Sequence, residues 1–331
     1  MRVSILIPIY GVEAYIEKCA ESLFRQTYCD IEYVFVNDCT PDDSIAILRN
    51  VASKYPHRQK NMRIVTHEEN SGLAVSRLTG LAYATGEFIM FVDSDDYLEL
   101  NAVEQLASIA ENEGSDIVSG GFYHEFTGGK RLYESPPSIS KEEYLTLILK
   151  RQVKCNIWGR LYRRTLFNKG ITFIKGINNG EDYVVVSRLF YFANKISNVN
   201  TPVVHYLHLN KGAYSAKYSR SNLDQVLKAE TVISEFYKQI GDKELIVSHN
   251  IGNLKLKAEQ IIILLRSKDR NKADYSYLLG LFDDCEKDNC LLKELAFQDR
   301  TLLKLSKVLN YNFMCLYVIS GYFFKQLLKF K

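Results

Sequence analysis

The 331-residue sequence predicts an α/β, Rossmann-like fold. A mostly parallel central sheet with flanking helices is expected over residues 1–220, and a helical C-terminal region over residues 221–331. Three observations predict this. Short β-branched apolar runs alternate with stretches of helical periodicity as far as Gly120. A cluster rich in Asp, Asn, Ser or Gly follows the early apolar runs. From Asn222 onward the strand signals stop and helical spacing continues.

Arg2–Ile9 is a short, β-branched apolar run ended by Pro8, Tyr10 and Gly11, the pattern of a buried parallel strand. Residues 13–26 then place Tyr15, Ile16, Cys19, Leu23 and Phe24 on one side of a helix. Ile31–Val36 reads as a second strand, running into the turn-forming segment Asn37 to Ser44. A helix is expected over Ser44–Tyr55, a strand over Met62–Thr66, a helix over Leu73–Ala84 and a strand over Glu87–Val92. Ala102–Asn112 and Asp116–Gly120 form the next helix and strand. Further on, Lys141–Arg151 and Asp182–Asn194 are helical and Val203–Leu209 is a strand.

Ligands of doubly wound sheets lie beyond the C-terminal ends of the strands. The clusters Tyr10–Glu13, Asn37–Asp43, Glu69–Gly72 and Asp93–Asp96 each follow a strand, so they converge on one crevice. Asp93 and Asp95 are two residues apart in a turn, where a pair of carboxylates can hold one hard divalent cation, Mn2+ or Mg2+. Such a cation neutralises a departing diphosphate. Asp96 is read as a helix cap. Asp38 is placed to accept a hydrogen bond from the imide N–H of uracil or a comparable base edge, or to close an Asx turn. Arg77 either reaches a phosphate, pairs with one of the aspartates, or lies on the helix surface. Glu181-Asp182 opens a helix after Gly180, as caps or as a general base for a hydroxyl.

Together these segments resemble glycosyltransferase family 2, which has the GT-A fold. Ile7-Pro8-Ile9-Tyr10 with Val12-Glu13 is similar to the family's opening strand, and Gln26-Thr27-Tyr28 with Asn37-Asp38 to its next element. Asn70-Ser71-Gly72-Leu73, with Arg77 downstream, matches the Asn-x-Gly element. Asp93-Ser94-Asp95-Asp96 matches the DxD element, Trp158–Arg163 the Trp-containing element and Gly180-Glu181-Asp182 the Glu-Asp element. The resemblance covers roughly residues 1–215. It implies an inverting, metal-dependent transfer of a sugar from a nucleotide-sugar, a UDP-sugar first, to a glycan or lipid-linked glycan acceptor in capsule, lipopolysaccharide or exopolysaccharide assembly. Pro8, Tyr10, Glu13, Asp38, Asn70, Gly72, Arg77, Asp93 and Ser94 would bind the donor, Asp95 and Asp93 the metal, and Asp182 would be the base.

Two rival readings have their own signatures. A nucleotidyltransferase calls for a Gly-rich basic loop after the first strand, and Tyr10-Gly11-Val12-Glu13-Ala14 holds no Lys or Arg. A non-catalytic nucleotide- or carbohydrate-binding module would keep the crevice without turnover. His205 and His208 flank Tyr206; the reading of a partly buried histidine on an edge strand outweighs a role near the metal. Asn210–Ser215 is a candidate lid with Gly212 as its hinge.

A net charge of +3 gives no basis for a nucleic-acid partner. The seven cysteines are odd in number and form no CxxC pair, so reduced thiols are expected rather than disulfides or zinc. The opening residues lack the pattern of a secretory signal, and a cytoplasmic location is expected. From Thr301 to Lys331 there are five Lys and no Asp, Glu or Arg, among many aromatic and aliphatic residues. That tail either packs on the protein or lies on the inner face of the cell membrane as a peripheral contact.

Overall fold

The computed structural model describes residues 1–208 and 218–328, with side chains as far as Gly321. The candidate lid Asn210–Ser215 lies outside the described residues, as do Lys329, Lys331 and the side chain of Lys325. The chain divides into two compact units, one of residues 1–144 and 155–213, the other of residues 145–154 and 214–331.

In the first unit the order is β1 (Val3–Ile9), α1 (Ile16–Phe24), β2 (Ile31–Asn37), α2 (Ser44–Ser53), α3 (Pro56–Gln59), β3 (Met62–Thr66), α4 (Leu73–Tyr83) and β4 (Phe88–Phe91). There follow β5 (Tyr97–Leu98), α5 (Ala102–Glu113), β6 (Ile117–Glu125), β7 (Arg131–Glu134), α6 (Lys141–Leu149), whose second half belongs to the other unit, β8 (Arg160–Arg163), α7 (Glu181–Phe192) and β9 (Ile196–Leu207). The sheet order is β3-β2-β1-β4-β8-β6-β9-β5, with β7 on β6. β1 to β4 are mutually parallel, and Val3, Ile5, Leu6 and Ile7 are all buried, so both faces of β1 are covered, as its apolar run implies. β8 runs antiparallel to both β4 and β6, and β5 antiparallel to β9.

Three strands departed from the sequence reading. β5 is only a pair of residues, β7 is mostly exposed, and β8 is Arg-Leu-Tyr-Arg. β8 is a strand because its arginines find partners: Arg163 meets Asp116 and Glu87, and Arg160 donates to Ser119 and Tyr144. β6 was expected to stop at Gly120 but runs through Gly121 to Glu125, with register shifts against β9 at the two glycines. A Cβ on Gly120 would collide with Val203 of β9, so the glycines mark close strand approach rather than an end. β9 correspondingly starts at Ile196 and is flanked on both sides, which corrects the edge-strand reading for His205, while His208 lies just past its end.

The second unit is helical: α8 (Arg220–Ile240), α9 (Lys243–Arg266), α10 (Lys272–Gly280), α11 (Asp283–Lys287), α12 (Asn289–Glu294), α13 (Phe297–Val308) and α14 (Tyr311–Leu328). Its core joins Leu223, Leu254, Ile261, Leu264, Leu265, Leu278, Leu303 and Met314. Buried within it, Glu230 pairs with Arg151 and lies 3.7 Å from His249, which contacts Asn253.

Candidate active site

The loop after β1 is built by its neighbour after β2. Gly11, Val12 and Glu13 donate their backbone N–H groups to the side chains of Thr40, Ser44 and Asp42. Burial raises the Asp42 carboxyl, but hydrogen bonds from Ser44, Thr40 and the Glu13 amide outweigh it and hold the group below the usual carboxylate range. Tyr10, half exposed, and Pro8, partly buried, end β1 at this loop, and Glu13 accepts from the Asp43 amide.

Asp38, buried at the end of β2, fastens the next turn. Its Oδ1 accepts from the Ser71 amide at 2.8 Å and lies 2.7 Å from His67 Nδ1, while Oδ2 accepts from the Gly72 amide at 2.8 Å. A base edge would have to use what capacity remains on Oδ2, so the geometry gives Asp38 first of all a positioning part. Asn70 accepts from the same Gly72 amide. Gly72 has φ +89°, and a Cβ there would stand 2.5 Å from the Asn178 amide group. Asn178 Oδ1 in turn accepts from the Ala74 N–H, so a residue from a distant loop caps the start of α4.

Four residues into that helix is Arg77, with a side chain 2% exposed. One guanidinium nitrogen donates to Asp182 at 2.6 Å and to Glu181 at 2.8 Å; the other donates to Asp93 at 2.8 Å. Of the openings the sequence left for Arg77, pairing with aspartate is present and a surface position is not. Asp182 also accepts from the Ile157 amide through Oδ2. Three carboxylates on one cation leave a net negative charge. Burial pushes the Asp182 carboxyl up, and Arg77 pulls it down less than that. Glu181, buried and beside Asp182, is pushed up to about 8.

Asp93 and Asp95 sit past β4 and are both partly exposed, whereas Ser94 and Asp96 are buried. Asp96 is not a helix cap. Its Oδ1 accepts from the Leu207 amide of β9, since the residues after it form β5 rather than a helix. Burial, then Asp95 and Asp93, raise its carboxyl well above the ordinary range. Among the described residues no group of three His, Cys, Asp or Glu side chains is arranged to hold a metal ion. Asp93 and Asp95, two partly exposed carboxylates on one turn, are oxygen donors of the kind Mg2+ and Mn2+ take.

The histidines are occupied elsewhere. His205 lies flat on Tyr97 with ring centroids 4.1 Å apart, between Glu125 at Nδ1 and Glu99 at Nε2. His208 Nε2 is 2.8 Å from His124 Nδ1. Asn178 and His67 are the contributors to which the sequence reading gave no role. Their positions in turn-rich or polar segments mark a loop, but their contacts span 29 residues for His67 and 104 for Asn178.

A sequence profile described as "Glycosyl transferase family 2" matches residues 4–171. The chain is 32% identical to glycosyltransferase EpsJ of Bacillus subtilis (strain 168), over 75% of this chain and 70% of that one. It is 26% identical to glycosyltransferase GlyG of Streptococcus pneumoniae serotype 4, over 87% of this chain and 98% of the relative. The crystal structure of S. aureus TarS 1-349 in complex with UDP-GlcNAc matches with a TM-score of 0.72 at 20% identity, covering 97% of this chain and 91% of that fragment.

Proposed function

On the premise that the chain belongs to glycosyl transferase family 2 and is a glycosyltransferase with the GT-A fold, we propose that it inverts the anomeric centre of a UDP-sugar donor. The acceptor is a hydroxyl of a glycan or lipid-linked glycan in cell-envelope polysaccharide assembly. Support for the donor comes from the TarS structure, which holds UDP-GlcNAc. The nucleotide lies along the strand ends, with Tyr10 and Pro8 toward the base and Glu13, Asn70 and Gly72 lining its path. Asp38 and the capped start of α4 keep that path in shape. Asp93 and Asp95 would hold Mn2+ or Mg2+, which supplies positive charge to a departing diphosphate.

Asp182 takes the proton of the acceptor hydroxyl. The oxygen then attacks the anomeric carbon as the bond to the diphosphate breaks, and UDP leaves. A carboxylate raised by burial is a stronger base than one in water. The observation that carries this reading is the single guanidinium of Arg77, which ties Asp93 on the donor side to Asp182 on the acceptor side. Asp182→Asn should keep UDP binding, measured calorimetrically with Mn2+, and lose turnover by about 100-fold or more. Undiminished turnover in that variant would remove Asp182 as the base, and no UDP binding by the wild type would remove the donor assignment.

A further inference from the structure

α14 is apolar on two sides. Met314 and Val318 are buried in the core of the helical unit, and Tyr311 and Cys315 pack against it. The opposite side carries Phe313, Leu316 and Tyr317, exposed by 60, 65 and 43%. These positions follow helical spacing, so they form one stripe. Val308, at the end of α13, is 82% exposed. Burying one face of a helix is the ordinary outcome of folding; large apolar side chains on the other face signal a second occupant.

The charge pattern says which. Lys304 and Lys307 are exposed on α13, Lys307 in an ion pair with Glu286 at 3.1 Å, and the apolar sequence Tyr322-Phe323-Phe324 leads into Lys325, Lys329 and Lys331. No acidic residue occurs after Asp299. In a symmetric dimer through this stripe the same patch meets itself, and lysines would face lysines. A surface of anionic lipid instead accepts the aromatic and aliphatic stripe at its headgroup boundary and attracts the lysines. Among the described residues no helix is long and apolar enough to cross a membrane, so α14 is suited to lie in the interface.

We propose that α14 and the end of α13 form a docking surface for an anionic lipid bilayer, with Phe313, Leu316 and Tyr317 inserted and Lys304 over the headgroups. The test is flotation of the full chain with vesicles of equal parts phosphatidylglycerol and phosphatidylcholine, and with phosphatidylcholine alone. The wild type should float with the mixed vesicles and far less with the neutral ones. Phe313→Ser combined with Leu316→Ser should cut the bound fraction about tenfold or more. Lys304→Glu should cut it about fivefold or more, an effect that salt erases. Since these side chains are exposed, the variants should melt as the wild type does, which circular dichroism checks. Donor and acceptor are absent from the assay, so its result is independent of the reaction. Equal flotation of wild type and double variant, or none by either, overturns the proposal. So does a dimer in sedimentation that the double variant abolishes without any vesicle binding.

Discussion

At Arg77 one buried guanidinium satisfies Asp93, Glu181 and Asp182 together. Removing it leaves three neighbouring carboxylates with their own repulsion. Arg77→Met should therefore destabilise the first unit by about 3–5 kcal/mol, measured by urea unfolding. Arg77→Lys keeps the charge but not the planar fork, and it should fold yet lose turnover by about tenfold or more. Glu181 shares the same nitrogen but is more buried than Asp182, with 10% of its side chain exposed against 23%. Glu181→Gln should accordingly keep most of the turnover that Asp182→Asn loses, a comparison read from kcat with KM unchanged. Asp38 and Asp93 could be singled out in the sequence because residue type and strand-end position are local properties, and Arg77 and Asp182 because each stands in the first turns of a helix that follows a polar loop. What could not be read there is who bonds to whom: that Asp38 is taken up by backbone amides, and that one arginine is shared three ways.

Among the elements, α4 depends on its neighbours for its start. The Asn178 side chain meets the Ala74 amide, and Gly72 adopts a backbone conformation that other residues resist. Asn178→Ala should cost about 1 kcal/mol in thermal unfolding, as lost caps generally do, and should weaken UDP binding through the turn it supports. In the helical unit, His249 of α9 is held near a pKa of about 4 by burial, then by Arg151 and Lys238, with Glu230 facing it. The unfolded chain binds that proton more tightly, so the contribution is full above the ordinary histidine pKa and is lost as pH falls toward about 4. The loss is up to about 3 kcal/mol, and His249→Gln should flatten the dependence of unfolding free energy on pH. β1, β2 and β4 were legible because a strand buried on both faces writes itself as an apolar run, and β3, partly exposed at the sheet's end, because Ile64 and Val65 are β-branched. β5, β7 and β8 were not, since short strands hold their place by pairing and by arginine contacts that local hydrophobicity does not record.

For the whole molecule, the alternation of the main strands and helices to Gly120 was readable, though not α3 or β5, and so was the helical character beyond Asn222. The membership of residues 145–154 in the helical unit was not, because it depends on contacts such as Gly252 of α9 against the carbonyl of Leu149. Donor binding acts on the folded state as a whole. UDP at a hundred times its dissociation constant with Mn2+ should add about 2.7 kcal/mol, visible as a rise in melting temperature. Omitting Mn2+ should shrink that rise if the Asp93–Asp95 pair holds the cation. The strand order also sets a timetable. β8, residues 160–163, lies between β4 and the start of β6 in the sheet, and Asp182 comes later still. A chain emerging from the ribosome can assemble β1 to β4 and carry Arg77 and Asp93, but β6 has no place in the sheet until some 40 further residues have been made. The carboxylate cluster is thus among the last parts of the first unit to form, with Arg77 awaiting partners more than 100 residues downstream. Such long-range closure is slow, so a nascent chain should pass through a period in which the sheet is half built and donor cannot yet be held.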